Sequence, residues 1–315
     1  MDTLELVQLS AQWACYASLN MMKSGFMSST LPVDGMMPSQ LYVSEPKYNY
    51  WKRRLFSGDS YDPIPIKRIG DLVFCTDGHS RALATWEAGH TELVVEDDTD
   101  ELDWMAYLED VKWCSEEGIR SIADLSSRIV DEQDYQRLWR DRCANARQEL
   151  IEEPFRGIEL RIAEDPVERA KVCEMVLRSL PEWFGIEESI REYVNDVAGL
   201  ETVVMYAFGT AIGFVSSMYH TSRHVDLHVL GLLREFHGRG LGTKLLDEAE
   251  GNASARGVRY VTVKTLADSH PDRNYAKTRE FYLRRGYERF EVFPELWGKA
   301  NPCLYMLKDI ASSDA

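Results

Sequence analysis

A glycine-rich turn between a predicted strand and a predicted helix constrains the fold more than any other segment of this sequence. It reads His237-Gly238-Arg239-Gly240-Leu241-Gly242, after an apolar run at 225–233 and before a helical pattern at about 242–255. Glycine lets the backbone approach a ligand closely, and a helix N-terminus presents free N–H groups. The turn therefore suits a phosphate or diphosphate, with a purely structural turn as the alternative on this feature alone. The spacing of a dinucleotide-binding Gly-x-Gly-x-x-Gly motif is absent.

The hydrophobic periodicity around this turn predicts a mixed α/β sheet between residues 157 and 310. The predicted order is β-α-α-β-β-β-α-β-α-β-β. The strands are expected at 158–162, 202–208, 211–218, 225–233, 258–265, 287–293 and 303–308, and the helices at 165–179, 186–198, 242–255 and 274–285.

Two motifs at this spacing resemble the GNAT superfamily of N-acetyltransferases. The family signature is Arg/Gln-x-x-Gly-x-Gly/Ala, and here Gly240 and Gly242 match it while His237 replaces the first residue. The segment from Asn274 to Phe281-Tyr282-Leu283-Arg284-Arg285-Gly286-Tyr287 is similar to the fourth helix of that family. The resemblance covers about residues 157–310 and implies the GNAT acyl-CoA transferase fold.

The resemblance also implies direct acetyl transfer from acetyl-CoA to a primary amine of a small molecule or protein. Its cofactor-binding residues would be those of the glycine-rich turn, the end of the preceding strand, and the start of the fourth helix. In this sequence they are Gly231, Leu232, His237, Gly238, Arg239, Gly240, Leu241, Gly242, Thr243 and Asn274.

Acetyl transfer needs a neutral amine, so a proton must leave it, and the departing thiolate needs a proton, because a cysteine-like thiol has a pKa of about 8.5. The resemblance places Tyr282 as the general acid, with a tyrosine buried in the core as the alternative. For the base, Asp226 lies at the position of the catalytic glutamate in histone-modifying members, and His228 follows two residues later. A chain of water molecules without a dedicated base is the third alternative.

The acceptor is expected to enter over the first helices of this half. Glu182, Trp183 and Glu187 lie there, and carboxylates beside aromatic rings favour a cationic amine. The alternative is that Trp183 packs in the core and the glutamates only stabilise the first turn of a helix.

The first half, residues 1–150, resembles a ParB/sulfiredoxin-like α+β domain over about residues 40–145. The turn Asp77-Gly78-His79-Ser80-Arg81 lies between a strand and a helix, as does the phosphate-binding turn of that family, but Ser80 interrupts the usual His-Arg pair. Gly78, His79 and Arg81 are thus candidate nucleotide-binding residues, or else a structural cluster in a scaffold. The other elements expected here are helices at 3–25, 79–88, 101–117 and 121–147 and strands at 64–69, 71–75 and 93–95.

Charge limits the partners of the chain. The 36 basic and 52 acidic residues give a net charge of −16, which disfavours nucleic acid and anionic membranes. No apolar run is long enough for a membrane span, the N-terminus lacks the basic segment of a secretory signal, and six scattered cysteines suggest neither disulfides nor a metal site. A cytoplasmic location without metal is therefore expected, and exposed sheet edges would allow a homodimer.

The sequence leaves two main functions to compare. One is an acetyl-CoA-dependent N-acetyltransferase. The alternative is a non-catalytic acyl-CoA-binding sensor coupled to a nucleotide-binding ParB-like domain, motivated by the His237 departure from the family signature. A nucleic-acid-binding regulator would rest on the ParB resemblance alone.

Overall fold

The computed structural model describes residues 29–311. The helix expected at 3–25 lies outside the described residues. Two main sheets account for most of the strands, and a small two-stranded sheet accounts for the rest.

The first sheet has five strands in the order β1-β6-β4-β5-β2. Its strands are β1 (Ser29–Pro32), β2 (Met37–Pro38), β4 (Ile64–Ile69), β5 (Leu72–Cys75) and β6 (Glu92–Asp97). The sequence patterns did not indicate the strand Ser29–Pro32. This segment pairs antiparallel with β6, with Ser29 opposite Val95, so the apolar residues next to Pro32 extend the sheet.

Helices cover this sheet and lead to the second half of the chain. They are α1 (Glu45–Phe56), α2 (His79–Glu87), α3 (Trp104–Glu116), α4 (Glu132–Tyr135) and α5 (Asp141–Glu152), with a π-helical turn at Gln136–Arg140 between the last two. The sequence patterns indicated α2 and α3 but not α1.

The single helix expected at 121–147 is wrong. Ser121 and Asp124 form a capping box that begins a 3₁₀ helix, Ile122–Arg128. The chain then extends as β7 (Ile129–Val130), parallel to β3 (Val43–Ser44). A second N-cap follows, where the side chain of Asp131 accepts a hydrogen bond from the backbone N–H of Asp134. The segment therefore holds two separate helix starts instead of one continuous helix. Each cap bonds N–H groups that, in a continuous helix, would donate to carbonyls of the preceding turn.

The second sheet has seven strands in the order β13-β14-β12-β11-β10-β9-β8. Its strands are β8 (Ile158–Ile162), β9 (Glu201–Ala207), β10 (Thr210–Thr221), β11 (His224–Leu232), β12 (Tyr260–Leu266), β13 (Glu288–Phe293) and β14 (Cys303–Asp309). Its helices are α6 (Pro166–Arg178), α7 (Glu187–Gly199), α8 (Leu241–Ala255) and α9 (Arg273–Arg284). Strands β11 and β12 are parallel, whereas the other neighbours are antiparallel. The mixed α/β sheet expected for this half is confirmed.

Helix α3 belongs to both cores. Trp104, Met105 and Leu108 are buried in one continuous cluster with the apolar residues of the seven-stranded sheet. Cys114 packs instead with the core of the five-stranded sheet. Between α5 and β8 the chain passes from the first sheet to the second, and apolar packing spans both sides of this segment. Within residues 29–311, no helix is both long and apolar enough to cross a membrane.

Candidate active site

The glycine-rich turn forms a cradle of free backbone N–H groups. A 3₁₀ turn, Arg234–Phe236, follows β11, and Gly238 and Gly240 then adopt φ values of 77° and 78°, which favour glycine. The chain enters α8 at Leu241. The amides of residues 238–243 donate to no acceptor within the described part of the chain, and the first cap bond runs from Lys244 N to Gly240 O. Unsatisfied donors at a helix N-terminus are suited to an anion.

A gap in the sheet opens beside this cradle. Strand β11 pairs with β12 only as far as Leu227, opposite Val263, although both strands continue. On the other side of β11, Ser216 pairs with Val229 and Ser217 with Leu227, so His228 is the extra residue of a β-bulge. A bulge increases local twist, which directs the last residues of β11 away from β12. Backbone groups there are left for a ligand lying between the strands.

Gly231 and Leu232 line the end of this gap. A Cβ on Gly231 would lie 2.7 Å from Val176 Cγ1, so glycine lets α6 pack against the strand. The His237 side chain turns back toward β11, with Nε2 2.7 Å from the carbonyl oxygen of Leu232. His237 therefore fixes the turn to the strand and does not reach into the cradle. Arg239 forms an ion pair with Asp103 at 2.8 Å.

Tyr282 lies on α9 with 7% of its surface exposed, and its ring packs edge-on against that of Tyr287 at 5.4 Å. Its hydroxyl makes no hydrogen bond with any described residue, unlike the hydroxyl of Tyr287, which donates to Glu250 at 2.8 Å. Burial raises the pKa of Tyr282, with further contributions from the charges of Asp226 and Tyr193. The phenol is therefore protonated at neutral pH and can act as a proton donor.

The Asp226 carboxylate is almost fully buried on β11 and has a partner for each oxygen. Thr262 donates to Oδ1 at 2.9 Å, and Lys264 forms an ion pair with Oδ2. Lys264 also lies 5.4 Å from the ring centre of Tyr305. These bonds stabilise the ionised carboxylate in a buried position, where an unpaired charge would be costly.

His228 is the second candidate base and is half-buried. Its Nε2 lies 3.1 Å from Asp196 Oδ2, and its ring packs against Tyr193 at 5.3 Å. Burial and the charge of Lys264 lower the pKa of His228. The imidazole is thus neutral at pH 7, the form that can accept a proton. Sequence reasoning missed Lys264 and Tyr193; the lysine inside the apolar pattern of β12 is the one signal that could have indicated a buried partner.

The loop between α6 and α7 lies across α9. Trp183 donates from Nε1 to Thr278 Oγ1 at 3.1 Å, and the hydroxyl of Tyr275 donates to the Trp183 carbonyl at 2.7 Å. The indole also packs edge-on against His237 at 6.0 Å. These contacts place Trp183 between α9 and the glycine-rich turn.

The two glutamates of this loop are paired with arginines. Glu182 forms an ion pair with Arg234. Glu187 bonds Arg178 and Arg191, whose hydrogen bonds lower the pKa of Glu187 to about 2. Their charge is therefore compensated within the protein, and the attraction for a cationic amine expected from them is weakened. Asn274 is in the first turn of α9, where its N–H is capped by Asp272.

In the first half, Gly78, His79 and Arg81 come together at the start of α2, but their bonds are internal. His79 is buried, and its Nε2 accepts from the backbone N–H of Ser39 at 3.0 Å. Burial lowers the pKa of His79 to about 4. Arg81 donates to the carbonyl of Pro63 at 3.0 Å. These bonds are structural, whereas the buried Nδ1 of His79 and Nε of Arg81 have no partner among the described residues. Among residues 29–311, no group of three potential ligands is placed to hold a metal ion.

Comparison with known proteins agrees with this geometry. Residues 169–287 match the model of the acetyltransferase (GNAT) family. This segment is therefore similar in sequence to GNAT acetyltransferases. A curated relative from Chlorobaculum tepidum, described as an uncharacterized N-acetyltransferase, is 30% identical over 119 residues, which cover 37% of this chain and 66% of the relative. The chain thus spans just under two thirds of that relative.

Solved structures of GNAT proteins are also similar to this half of the chain. A candidate GNAT acetyltransferase from Desulfovibrio desulfuricans has 19% identity and a TM-score of 0.43, covering 48% of this chain and 98% of its own. A GNAT acetyltransferase from Elizabethkingia anophelis with acetyl-CoA bound has 12% identity and a TM-score of 0.37, covering 49% and 99%.

Proposed function

We propose that this protein is an acetyl-CoA-dependent N-acetyltransferase that transfers acetyl directly to a primary amine. The observation that carries the proposal is the row of free amides at residues 238–243, next to the gap between β11 and β12. The cradle would hold the diphosphate of acetyl-CoA, and the pantetheine arm would lie along Gly231 and Leu232. The GNAT match of residues 169–287 supports the same cofactor.

In the proposed reaction, the amine nitrogen attacks the thioester carbonyl, which forms the amide bond as the carbon–sulfur bond breaks. Holding the two substrates in line lowers the barrier, because their orientation is fixed before reaction. Tyr282 supplies a proton to the departing thiolate of CoA. A proton leaves the amine to Asp226, His228 or water. The bulge places His228 where the strands separate, and with Nε2 directed at Asp196 the other nitrogen, Nδ1, is the proton acceptor of the neutral ring. Both oxygens of Asp226 already have partners, which favours His228 as the direct acceptor.

The acceptor is proposed only as a primary amine of a small molecule or protein. The paired state of Glu182 and Glu187 leaves the indole of Trp183 as the main recognition group of that loop. The likeness of the first half to ParB/sulfiredoxin domains, the separation into 1–150 and 157–310, a homodimer and a cytoplasmic location remain predictions.

The first test is cofactor binding by a Gly240→Asp variant. A side chain at φ 78° strains the turn, and a carboxylate beside the free amides repels a diphosphate. For both reasons we expect calorimetry to show a loss of acetyl-CoA affinity of at least about 100-fold. Each factor of ten corresponds to about 1.4 kcal/mol of binding free energy. Gly89→Asp is the matched control, because Gly89 also has a positive φ, 97°, and lies in the first half after α2.

Turnover separates the enzyme from an acyl-CoA sensor. Wild-type protein and acetyl-CoA should release free thiol with at least one amine from a broad panel, and the acetylated amine should appear in equal amount. Tight acetyl-CoA binding without thiol release on any amine would support the sensor instead. Unchanged affinity in Gly240→Asp would remove the cradle from the proposal.

A further inference from the structure

The first half of the chain reaches the cofactor cradle through Asp103. The Asp103 carboxylate lies 2.8 Å from the guanidinium of Arg239. Arg239 is in the middle of the glycine-rich turn, and 136 residues separate it from Asp103 along the chain. Asp103 is the N-cap residue of α3, yet its side chain accepts no hydrogen bond from that helix. Aspartate at this position usually bonds the free N–H groups of its own helix. Here that bond is absent, and the carboxylate faces Arg239.

A second contact fixes the two segments to each other. Lys67 on β4 forms an ion pair with Glu235 at 2.9 Å, and both side chains are largely buried. The Lys67 ammonium also lies 4.5 Å from the ring centre of Trp104, the residue after Asp103. The turn that precedes the cradle is therefore tied to the start of α3, and Asp103 is held beside Arg239.

The position of Asp103 matters because the cradle would receive a diphosphate. Arg239 is the charged side chain of the cradle, and a guanidinium suits a diphosphate well. Asp103 compensates this charge and adds a negative charge close to the anion site. Because the pair is partly exposed, with side-chain exposures of 39% and 45%, it is weak enough to exchange partners.

We infer that Asp103 is a positioning residue that sets the affinity of the cradle for the diphosphate of acetyl-CoA by holding Arg239 away from it. The inference rests on the proposed function and adds a role for the first half of the chain in cofactor binding. Coupling of this kind is reciprocal: a bound diphosphate that attracts Arg239 weakens the contact between the halves. Acetyl-CoA would then loosen the α3 contact on binding.

The test is Asp103→Asn in the full chain, with acetyl-CoA affinity measured by calorimetry at low ionic strength. We expect the dissociation constant to fall about 2- to 5-fold, the scale of a partly exposed charge pair, and the gain to shrink as salt is added. In turnover, the KM for acetyl-CoA should fall, while kcat and the KM for the amine stay unchanged. A structural role of Asp103 would instead raise KM or lower kcat.

The matched control is Asp59→Asn, which breaks the Arg54–Asp59 pair of nearly equal exposure, 40% and 49%, in the first half of the chain. It should leave acetyl-CoA affinity unchanged. The gain in Asp103→Asn should also vanish in an Arg239→Gln background. It should be absent with acetyl-pantetheine, which has no diphosphate.

Two failures are distinguishable. If wild-type protein does not bind acetyl-CoA, the proposed function fails. If wild-type protein binds it and Asp103→Asn binds equally or more weakly, the role of Asp103 is overturned while the proposed function stands. A gain of the same size with acetyl-pantetheine would also overturn it, because the effect would not involve the diphosphate.

Discussion

Two buried tyrosines lie side by side in the candidate active site, and only one of them has a free hydroxyl. Tyr287 donates to Glu250, whereas Tyr282 makes no hydrogen bond with a described residue. The ring of Tyr282 is buried, but its oxygen keeps access to solvent, whereas the hydroxyl of a tyrosine kept for packing ordinarily bonds a protein group. The unpartnered phenol of Tyr282 therefore fits a role toward a substrate better than a role in packing.

The first residue-scale prediction is that Tyr282→Phe lowers kcat by about 100-fold or more, the typical contribution of a general acid. Because burial raises the pKa of Tyr282, the phenol stays protonated from pH 6 to 9, and the loss should be the same across that range. Steady-state rates with acetyl-CoA and an active amine measure it. Tyr287→Phe is the control and should keep kcat. A wild-type kcat in Tyr282→Phe, or a loss that varies with pH, would contradict the assignment.

At the scale of elements, the hairpin between β9 and β10 packs against Gly157, the residue that precedes β8. Its two loop residues, Phe208 and Gly209, both have positive φ values, 50° and 88°. Such a backbone is unusual for an aromatic residue. The ring is held in place over Gly157, where an added Cβ would lie 2.4 Å from Phe208 Cε1.

We therefore predict that Gly157→Ala destabilises the protein by roughly 1–3 kcal/mol, through the clash and through its own φ of 76°. Gly251→Ala is the contrasting variant, since Gly251 lies inside α8 with nothing within 4 Å of an added Cβ. That change should stabilise by roughly 0.5–1 kcal/mol. Urea unfolding of both variants measures the difference, and equal effects would refute this account.

The elements also show how far sequence patterns reach. The strands and helices of 157–310 followed from periodicity, and the glycine-rich turn lies where the motif put it, because these features are local. The helix expected at 121–147 failed because its interruption depends on caps at Ser121 and Asp131 that compete with helix propagation. The partners of Asp226 and Glu187 also could not be predicted, since Lys264 and Arg178 meet them only through sheet register and helix packing.

At the scale of the whole molecule, α3 packs into two apolar cores that the sequence patterns assign to separate halves of the chain. Trp104, Met105 and Leu108 are buried with residues of the seven-stranded sheet, and Cys114 with the five-stranded sheet. An ion pair adds to this junction, since the buried carboxylate of Glu109 on α3 lies 2.5 Å from the partly exposed guanidinium of Arg156. A helix with two buried faces cannot lose one sheet without exposing apolar surface to water. The two halves should therefore unfold together.

His79 allows this cooperativity to be tested by pH. Its pKa is lowered by burial to about 4 in the folded state, against an ordinary value near 6.5. The unfolded chain then binds the proton more tightly, so stability is complete above pH 6.5 and is lost as pH falls toward 4. Between pH 7 and pH 5 the loss from this group is about 2 kcal/mol. His79→Gln keeps an acceptor for the Ser39 N–H. Between pH 7 and pH 5, its free energy of unfolding should fall by about 2 kcal/mol less than that of the wild-type protein.

Because α3 links the cores, protonation of His79 in the first half should weaken the second half equally. Hydrogen exchange of slowly exchanging amides in β4–β6 and in β9–β11 measures both sheets in the same sample. After correction for intrinsic exchange, each sheet of the wild-type protein should lose more protection between pH 7 and pH 5 than the same sheet of His79→Gln. The extra loss, expressed as a free energy of opening, should be the same in both sheets. Protection lost only in β4–β6 would mean that the sheets unfold independently and that the packing along α3 is too weak to couple them.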